Sequence, residues 1–393
     1  MRAHYKIIHT SSHSQWGSLE QRIFNESVWM QKNEHKIIII APRDSPLFLK
    51  AKEHKFKVYG INFKYFSMLK NYKLLKDIFY NEKPDVVNTH GHKDSKIALY
   101  AAKKNRVPLR ILSRHISSHV RNSWPNRMIY KKLCHYIFTT ADYTTRHLQK
   151  VFKLKGMQIF SIPNGINIPH HLLDKEKART ALAAELNLDP KTRFIGFTGK
   201  ISREKGVSTI LRAFKIIKPK LSEYHIAIVG KGKDKYIKFL KNLARDLQIE
   251  THVHFTGVKE DTWPYYRGFD CNILPSKDKH GIPFEGIPQI LLEAMYCACP
   301  VIGSKSGGII EIINHKKTGL LFNPQDPSDL ADKIMETLQD DNATNKRVQA
   351  ALELVKKHHT IDVMGRDIIR IYRLHQVLKE KNYNAFHDSL ILQ

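Results

Sequence analysis

The sequence predicts an α/β protein made of two doubly wound halves, and three observations carry that expectation. Short β-like runs alternate with amphipathic helical segments from one end of the chain to the other, the pattern of parallel sheets covered on both faces. The alternation is interrupted once, at "IPNGINIPHH" (162–171), where Pro, Asn and Gly concentrate as in a linker. The chain has 393 residues, too many for one hydrophobic core but suited to two domains.

Taken in order, the strand candidates of the first half are "YKIIHT", "KIIII", "FKVYGI", "DVVNTH", "LRILS", "YIFTT" and "QIFSIP". Amphipathic segments such as "SLEQRIFNESVWMQ" and "DSKIALYAAKK" lie between them and supply the covering helices. After the linker a polar helix, "DKEKARTALAAELNL", precedes a second series: "RFIGFTGK", "YHIAIVG", "HVHFTG", "CNILPS", "CPVIGS" and "GLLFN". Two helical stretches close the chain. The expected boundaries are 1–169, 170–365 and a terminal helical segment, 366–393. There is no repeat of solenoid length and no low-complexity tract.

Composition narrows the function classes. A hydrophobic content of 42% implies a packed protein. No apolar run reaches 18 residues, so no membrane span is expected. The N-terminus lacks the apolar core and cleavage site of a signal peptide, which points to the cytoplasm. Cys134, Cys271, Cys297 and Cys299 lack zinc-site spacing, and Cys297 and Cys299, in an apolar stretch, read as buried, reduced thiols. The balance of 65 Lys plus Arg against 37 Asp plus Glu gives a formal charge of +28, which calls for an anionic partner. The lysines are dispersed and no aromatic residues interleave them in a nucleic-acid motif. A membrane surface or a phosphorylated substrate is therefore favoured over nucleic acid.

In doubly wound sheets ligands bind beyond the carboxyl ends of the strands, and between two such sheets a shared cleft is the expected site. The segment "FEGIPQILLEAMYCACPVIGSKSGGIIEII" (284–313) holds the most informative residues. A helix starting near Pro288 places Ile287, Ile290, Leu291, Ala294, Met295 and Ala298 on one apolar stripe. Gln289 and Glu293 form a narrow polar stripe, and Glu285 precedes the helix. The two glutamates are at most ~12 Å apart along the axis, close to the sugar-to-ribose distance in a nucleotide sugar. A plainer alternative is that Glu293 pairs with a nearby lysine. The loop Glu285, Gly286, Ile287, Pro288 presents N–H groups at a helix start, where phosphate or hydroxyl oxygens bind. "SGGIIE" (306–311) again puts glycines ahead of a helix, and "TGKISREKG" (198–206) sets Lys200, Arg203 and Lys205 in one loop after a strand.

On these residues the sequence resembles glycosyltransferase family 4, the retaining enzymes of GT-B fold, in which two Rossmann-like domains face each other across a cleft. The paired glutamates followed by "PVIG" and "GGIIE" are similar to the family's signature, and "GKISREKG" resembles its phosphate loop, with Lys200 where Arg is usual. "PNGIN" resembles the family's pre-linker segment, with Asn167 replacing an acid. "SQWGSLEQRI", "NTHGHKDS" and "SRHISSHV" resemble a lipopolysaccharide-type branch, in which Gly17 lets the backbone approach the donor phosphates. The resemblance implies that Glu285 holds the donor sugar, helped by the backbone at Gly286, Ile287 and Pro288, and that Glu293 holds the ribose. It places Lys200 and Lys205 on the pyrophosphate, with Arg203 beside them, and His115 near the reacting sugar. His115, Glu285 and Lys205 are thus the catalytic candidates, and the C-terminal helix is expected to cross back to the first domain.

The expected reaction is sugar transfer from a nucleotide sugar, a UDP- or GDP-sugar, to lipopolysaccharide or another glycolipid or polysaccharide of the envelope. No further cofactor is expected. Since no Asp-x-Asp pair is present, the cations replace a metal in stabilising the leaving diphosphate. The enzyme is expected to lie peripherally on the anionic inner membrane, with no specific nucleic-acid partner. Alternatives at this stage are a nucleotide-sugar epimerase or phosphorylase of the same plan, and a basic nucleic-acid-binding protein. For His90 and His92, two apart after a strand, substrate contact is favoured over metal binding. His170, His171, His358 and His359 read as solvated, Asp94 as a helix cap, and Glu20 and Arg22 as ordinary charges of the first helix.

Overall fold

The computed structural model describes residues 4–115, 120–277 and 286–391. The chain divides into two compact units. The first takes the chain as far as Asn164 and again from Ile361, and the second takes Gly165–Thr360. The joints thus fall at 164/165 and 360/361, a few residues before those read from the sequence.

The first unit holds seven strands: β1 (Lys6–Thr10), β2 (Lys36–Ala41), β3 (Lys57–Gly60), β4 (Val86–Thr89), β5 (Leu109–Arg114), β6 (Tyr136–Thr139) and β7 (Ile159–Ser161). They form one parallel sheet in the order β3-β2-β1-β4-β5-β6-β7. Successive residues of a strand face opposite sides. Ile38 and Ile40 therefore pack beneath Leu75, Ile78 and Phe79 of helix Met68–Glu82 and Ala98, Ala101 and Ala102 of helix His92–Lys104. Ile37 and Ile39 join the opposite core with Ile23 and Met30 of helix Ser18–Lys32. Met364, Ile368 and Tyr372 of the terminal helix Ile361–Ile391 complete that core. The Trp29 indole N–H donates to Asp362 Oδ1 at 2.7 Å, fixing the start of this helix on the first unit.

The second unit holds β8 (Arg193–Thr198), β9 (Tyr224–Val229), β10 (Val253–Gly257), β11 (Cys271–Leu274), β12 (Val301–Ser304) and β13 (Leu320–Phe322). Their order is β10-β9-β8-β11-β12-β13, all parallel. Each sheet thus reverses its strand order at one point, between β1 and β4 and between β8 and β11, which is where doubly wound sheets open a crevice. Ile166 bridges to Thr360, and its N–H donates to His359 O at 2.8 Å, so the two ends of the second unit are tied together. His359 is buried rather than solvated, because that pairing carries it under the surface, and burial pushes its imidazole down to about 4. All four cysteines are free and buried.

Candidate functional site

In the second unit the loop after β8 carries Lys200, Arg203 and Lys205 and ends at Gly206, the residue before helix Val207–Ile217. Gly206 has φ +70°, and a Cβ there would stand 2.1 Å from Pro275 O, just beyond β11. Lys277 N–H donates to Glu204 O at 2.9 Å, which binds the same loop to the β11 exit and adds a cation that sequence reasoning passed over. The loop after β12 approaches from the other side: a Cβ on Gly308 would lie 2.4 Å from the Gly286 carbonyl group. Only glycine lets the two backbones pass so closely. The loops leaving β8, β11 and β12 are therefore packed against one another around the reversal point of the sheet. Gly286, Ile287 and Pro288 lead into helix Gln289–Tyr296, with Pro288 as its N-cap. The helix stops at Tyr296, and Ala298 turns into a left-handed conformation with φ +54°, so Ala298 leaves the apolar stripe expected from the spacing. Leu291, Leu292, Ala294 and Met295 are fully buried.

Glu293 lies on this helix, partly buried. The Tyr266 hydroxyl donates to its Oε2 at 3.0 Å, and the other side-chain partner is Gln289. Both partners are neutral, which removes the lysine-pairing alternative among the described residues. Burial without a compensating cation pushes the carboxyl up to about 7. Such a group gains from ligand hydroxyls that donate to its ionised form. Glu285 lies outside the described residues.

In the first unit, Gly17 is the N-cap of helix Ser18–Lys32 with φ −156°, extended backbone that any residue adopts. Glu20 pairs with His13 at 3.0 Å. Arg22 is not an ordinary surface charge: it is 4% exposed and donates from Nη1 to Ile162 O at 2.8 Å and Asn164 Oδ1 at 2.6 Å. It thereby clamps the segment by which the chain leaves the first unit, and Glu26 balances it from 3.7 Å. Asp94 accepts from Gly91 N–H and, at 2.6 Å, from the Thr10 hydroxyl, so its cap role extends to pinning β1. His115 follows β5, and its Nε2 lies 2.9 Å from His90 Nδ1; His90 Nε2 in turn lies 2.9 Å from His9 Nδ1. His92 begins helix His92–Lys104 and is exposed. Sequence reasoning did not connect His9 or Glu26 with His115. Its available signal was that His9, His90 and His115 all lie at the carboxyl ends of strands that prove adjacent. No group of three His, Cys, Asp or Glu suited to a metal occurs among the described residues.

Two doubly wound parallel sheets of this topology in one chain are the architecture of the GT-B fold. The chain belongs to glycosyltransferase family 4: residues 19–169 match "Glycosyltransferase Family 4" and residues 178–353 match "Glycosyl transferases group 1". It is similar to a D-inositol 3-phosphate glycosyltransferase of Corynebacterium jeikeium, 29% identical over 52% of this chain. That alignment spans about half of the relative's length, 49%. Among solved structures, a glycosyltransferase from Rickettsia africae superposes with TM-score 0.83 at 19% identity, over 95% of this chain and 98% of the other. Anabaena HepE, solved in complex with UDP and glucose, superposes with TM-score 0.77 at 17% identity, over 93% and 98%. A lipopolysaccharide outer core galactosyltransferase, WaaB, gives 0.69 at 16% identity, over 93% and 98%. These structural likenesses establish the fold.

Proposed function

We propose that this enzyme transfers a sugar, with retention of configuration, from a nucleotide-sugar donor to a lipopolysaccharide or related envelope glycan. The observation that carries the proposal is a carboxylate with only neutral partners, Glu293, on the helix that leaves the second unit's three packed loops. Glu293 takes the ribose hydroxyls. The N–H groups at Gly286 and Ile287, together with Lys200, Arg203 and Lys205, take the diphosphate, whose charge grows as the glycosidic bond breaks. Those cations and dipoles do this without a metal, so activity withstands a chelator. HepE has been solved with UDP, which favours a uridine nucleotide here. The envelope acceptor follows from the first-half motifs and from the likeness to WaaB.

Membrane contact belongs to the same reading. No helix among the described residues is long and apolar enough to cross a membrane. Phe66 and Leu69, 106% and 81% exposed, stand among Lys64, Lys70 and Lys73, a combination that suits an anionic lipid surface on the cytoplasmic side.

The test is a thermal-shift panel of UDP-, GDP-, ADP- and CMP-sugars at low salt. One nucleotide should raise Tm, and Glu293→Ala should abolish the rise. Undiminished stabilisation of the variant would remove the ribose role. Release of free sugar phosphate or an epimerised donor with no acceptor present would replace transfer by phosphorolysis or epimerisation.

A further inference from the structure

A row of three imidazoles crosses the carboxyl edge of the first sheet, one from each of the neighbouring strands β1, β4 and β5. The ring centroids of His9 and His90 are 5.1 Å apart and those of His90 and His115 are 5.2 Å apart, each pair joined by an N···N hydrogen bond of 2.9 Å. Each end of the row is a ring nitrogen without a hydrogen-bond partner. At the inner end His9 Nε2 faces Glu26 Oε1 at 4.0 Å, and both atoms are buried without a hydrogen-bond partner. A side-chain shift of about 1 Å joins them. At the outer end His115 Nδ1 is likewise buried without a partner.

A neutral imidazole has one N–H, so a row of three has only two consistent directions. With Glu26 ionised, His9 donates from Nε2 to the carboxylate, His90 donates from Nε2 to His9 Nδ1, and His115 donates from Nε2 to His90 Nδ1. His115 Nδ1 is then a lone pair. With Glu26 protonated every bond reverses, and His115 Nδ1 carries the hydrogen. We propose that Glu26, His9 and His90 are positioning residues that fix the tautomer of His115 and carry a proton between its Nδ1 and the Glu26 carboxylate. The inference rests on the glycosyl-transfer reading above.

The step balances. A proton enters at the lone pair of His115 Nδ1. The Nε2 protons of His115, His90 and His9 each move one place, the last to Glu26 Oε1, so one proton is taken up at the outer end and one carboxylate is neutralised at the inner end. No ring ends as an imidazolium, which the surroundings would oppose. Burial holds His9 down to about 3, and His90 and His115 lie well below the usual histidine range for the same reason. Arg22 lies against the row from helix Ser18–Lys32, and Arg114 and His13 add positive charge near His115. The nearby acids are engaged elsewhere, Glu20 with His13 and Asp94 with Thr10 and Gly91. Tyr372 reaches the Glu26 side from the terminal helix. Burial raises the Glu26 carboxyl to about 7 despite Arg22, so it can take and release a proton near neutrality.

The experiment is ¹⁵N-histidine NMR of the full chain from pH 5.5 to 8.5, with His9→Gln, His90→Gln and His115→Gln used to assign signals. The expected result is that all three rings are Nε2–H at high pH and convert together to Nδ1–H as pH falls through about 7, with no imidazolium. In Glu26→Gln, whose amide takes up no proton, that joint conversion is lost. Tautomers that stay fixed across the range, or rings that charge one at a time, would overturn the proposal. The wild-type titration decides alone if the variant does not fold. Nucleotide-dependent stabilisation of the same sample separates the two readings: fixed tautomers with stabilisation intact remove the relay alone, and absent stabilisation removes the transferase reading.

Discussion

Glu293 ties stability to pH in a direction opposite to most carboxylates. Its folded pKa, about 7, stands above the ordinary value of 4.5, so the folded state holds the proton more tightly than the unfolded chain does. The resulting stabilisation is full below pH 4.5 and lost as pH rises through 7. Glu293→Gln keeps the bonds to Tyr266 and Gln289 without the charge. It should be more stable than wild type at pH 8, by about 2 kcal/mol or less given the group's partial exposure, and equally stable at pH 4. Denaturant melts at both pH values check this. Nucleotide binding has the opposite preference, since ribose hydroxyls donate to the ionised form, so affinity should strengthen between pH 6 and 8. Glu293 was legible in the sequence because an acid in an almost wholly apolar helix needs a reason to be there. His9 was not legible: inside "KIIHT" it reads as one more strand residue, and the rings it joins are 81 and 106 positions away. Arg22 was misread for a related reason, since what buries it is the returning segment at Ile162 and Asn164, 140 and 142 positions on.

At the scale of elements, strands give themselves away and loops do not. Parallel strands away from the sheet edges are buried on both faces and appear as compact apolar runs, the edge strands β3 and β10 are half-buried, and every run singled out in the sequence forms a strand. Strand order is a long-range property and left no such trace, and with it the fact that the β8 and β11 loops are neighbours. Glycines mark where those loops touch. Gly206→Ala places a side chain in a left-handed backbone, costing about 1–2 kcal/mol, and its methyl would meet Pro275 O at 2.1 Å. The outcome expected is a lowered Tm together with lost nucleotide stabilisation, as the loop holding Lys200 and Lys205 moves off the β11 exit. A variant with normal Tm and normal nucleotide response would show that the contact does not position the loop.

For the whole molecule the dominant quantity is charge. With a net +28, association with vesicles containing anionic lipid should be strong at low salt and weaken by about tenfold or more toward physiological ionic strength. Co-sedimentation measures this, and Phe66→Ser with Leu69→Ser should reduce the part that survives salt. Binding that ignores both salt and lipid charge would remove the membrane role. The linker at 162–171 was visible in the sequence as a change of composition. The joint at 360/361 was not, because helical periodicity shows that a helix has an apolar face without saying which sheet it covers. The consequence concerns birth rather than catalysis. Met364, Ile368 and Tyr372 belong to the core built on β1 and β2, so the first unit lacks part of its interior until these residues have left the ribosome. The second unit, among the described residues the single stretch Gly165–Thr360, can finish folding while the first still waits, and the half synthesised first is the half completed last.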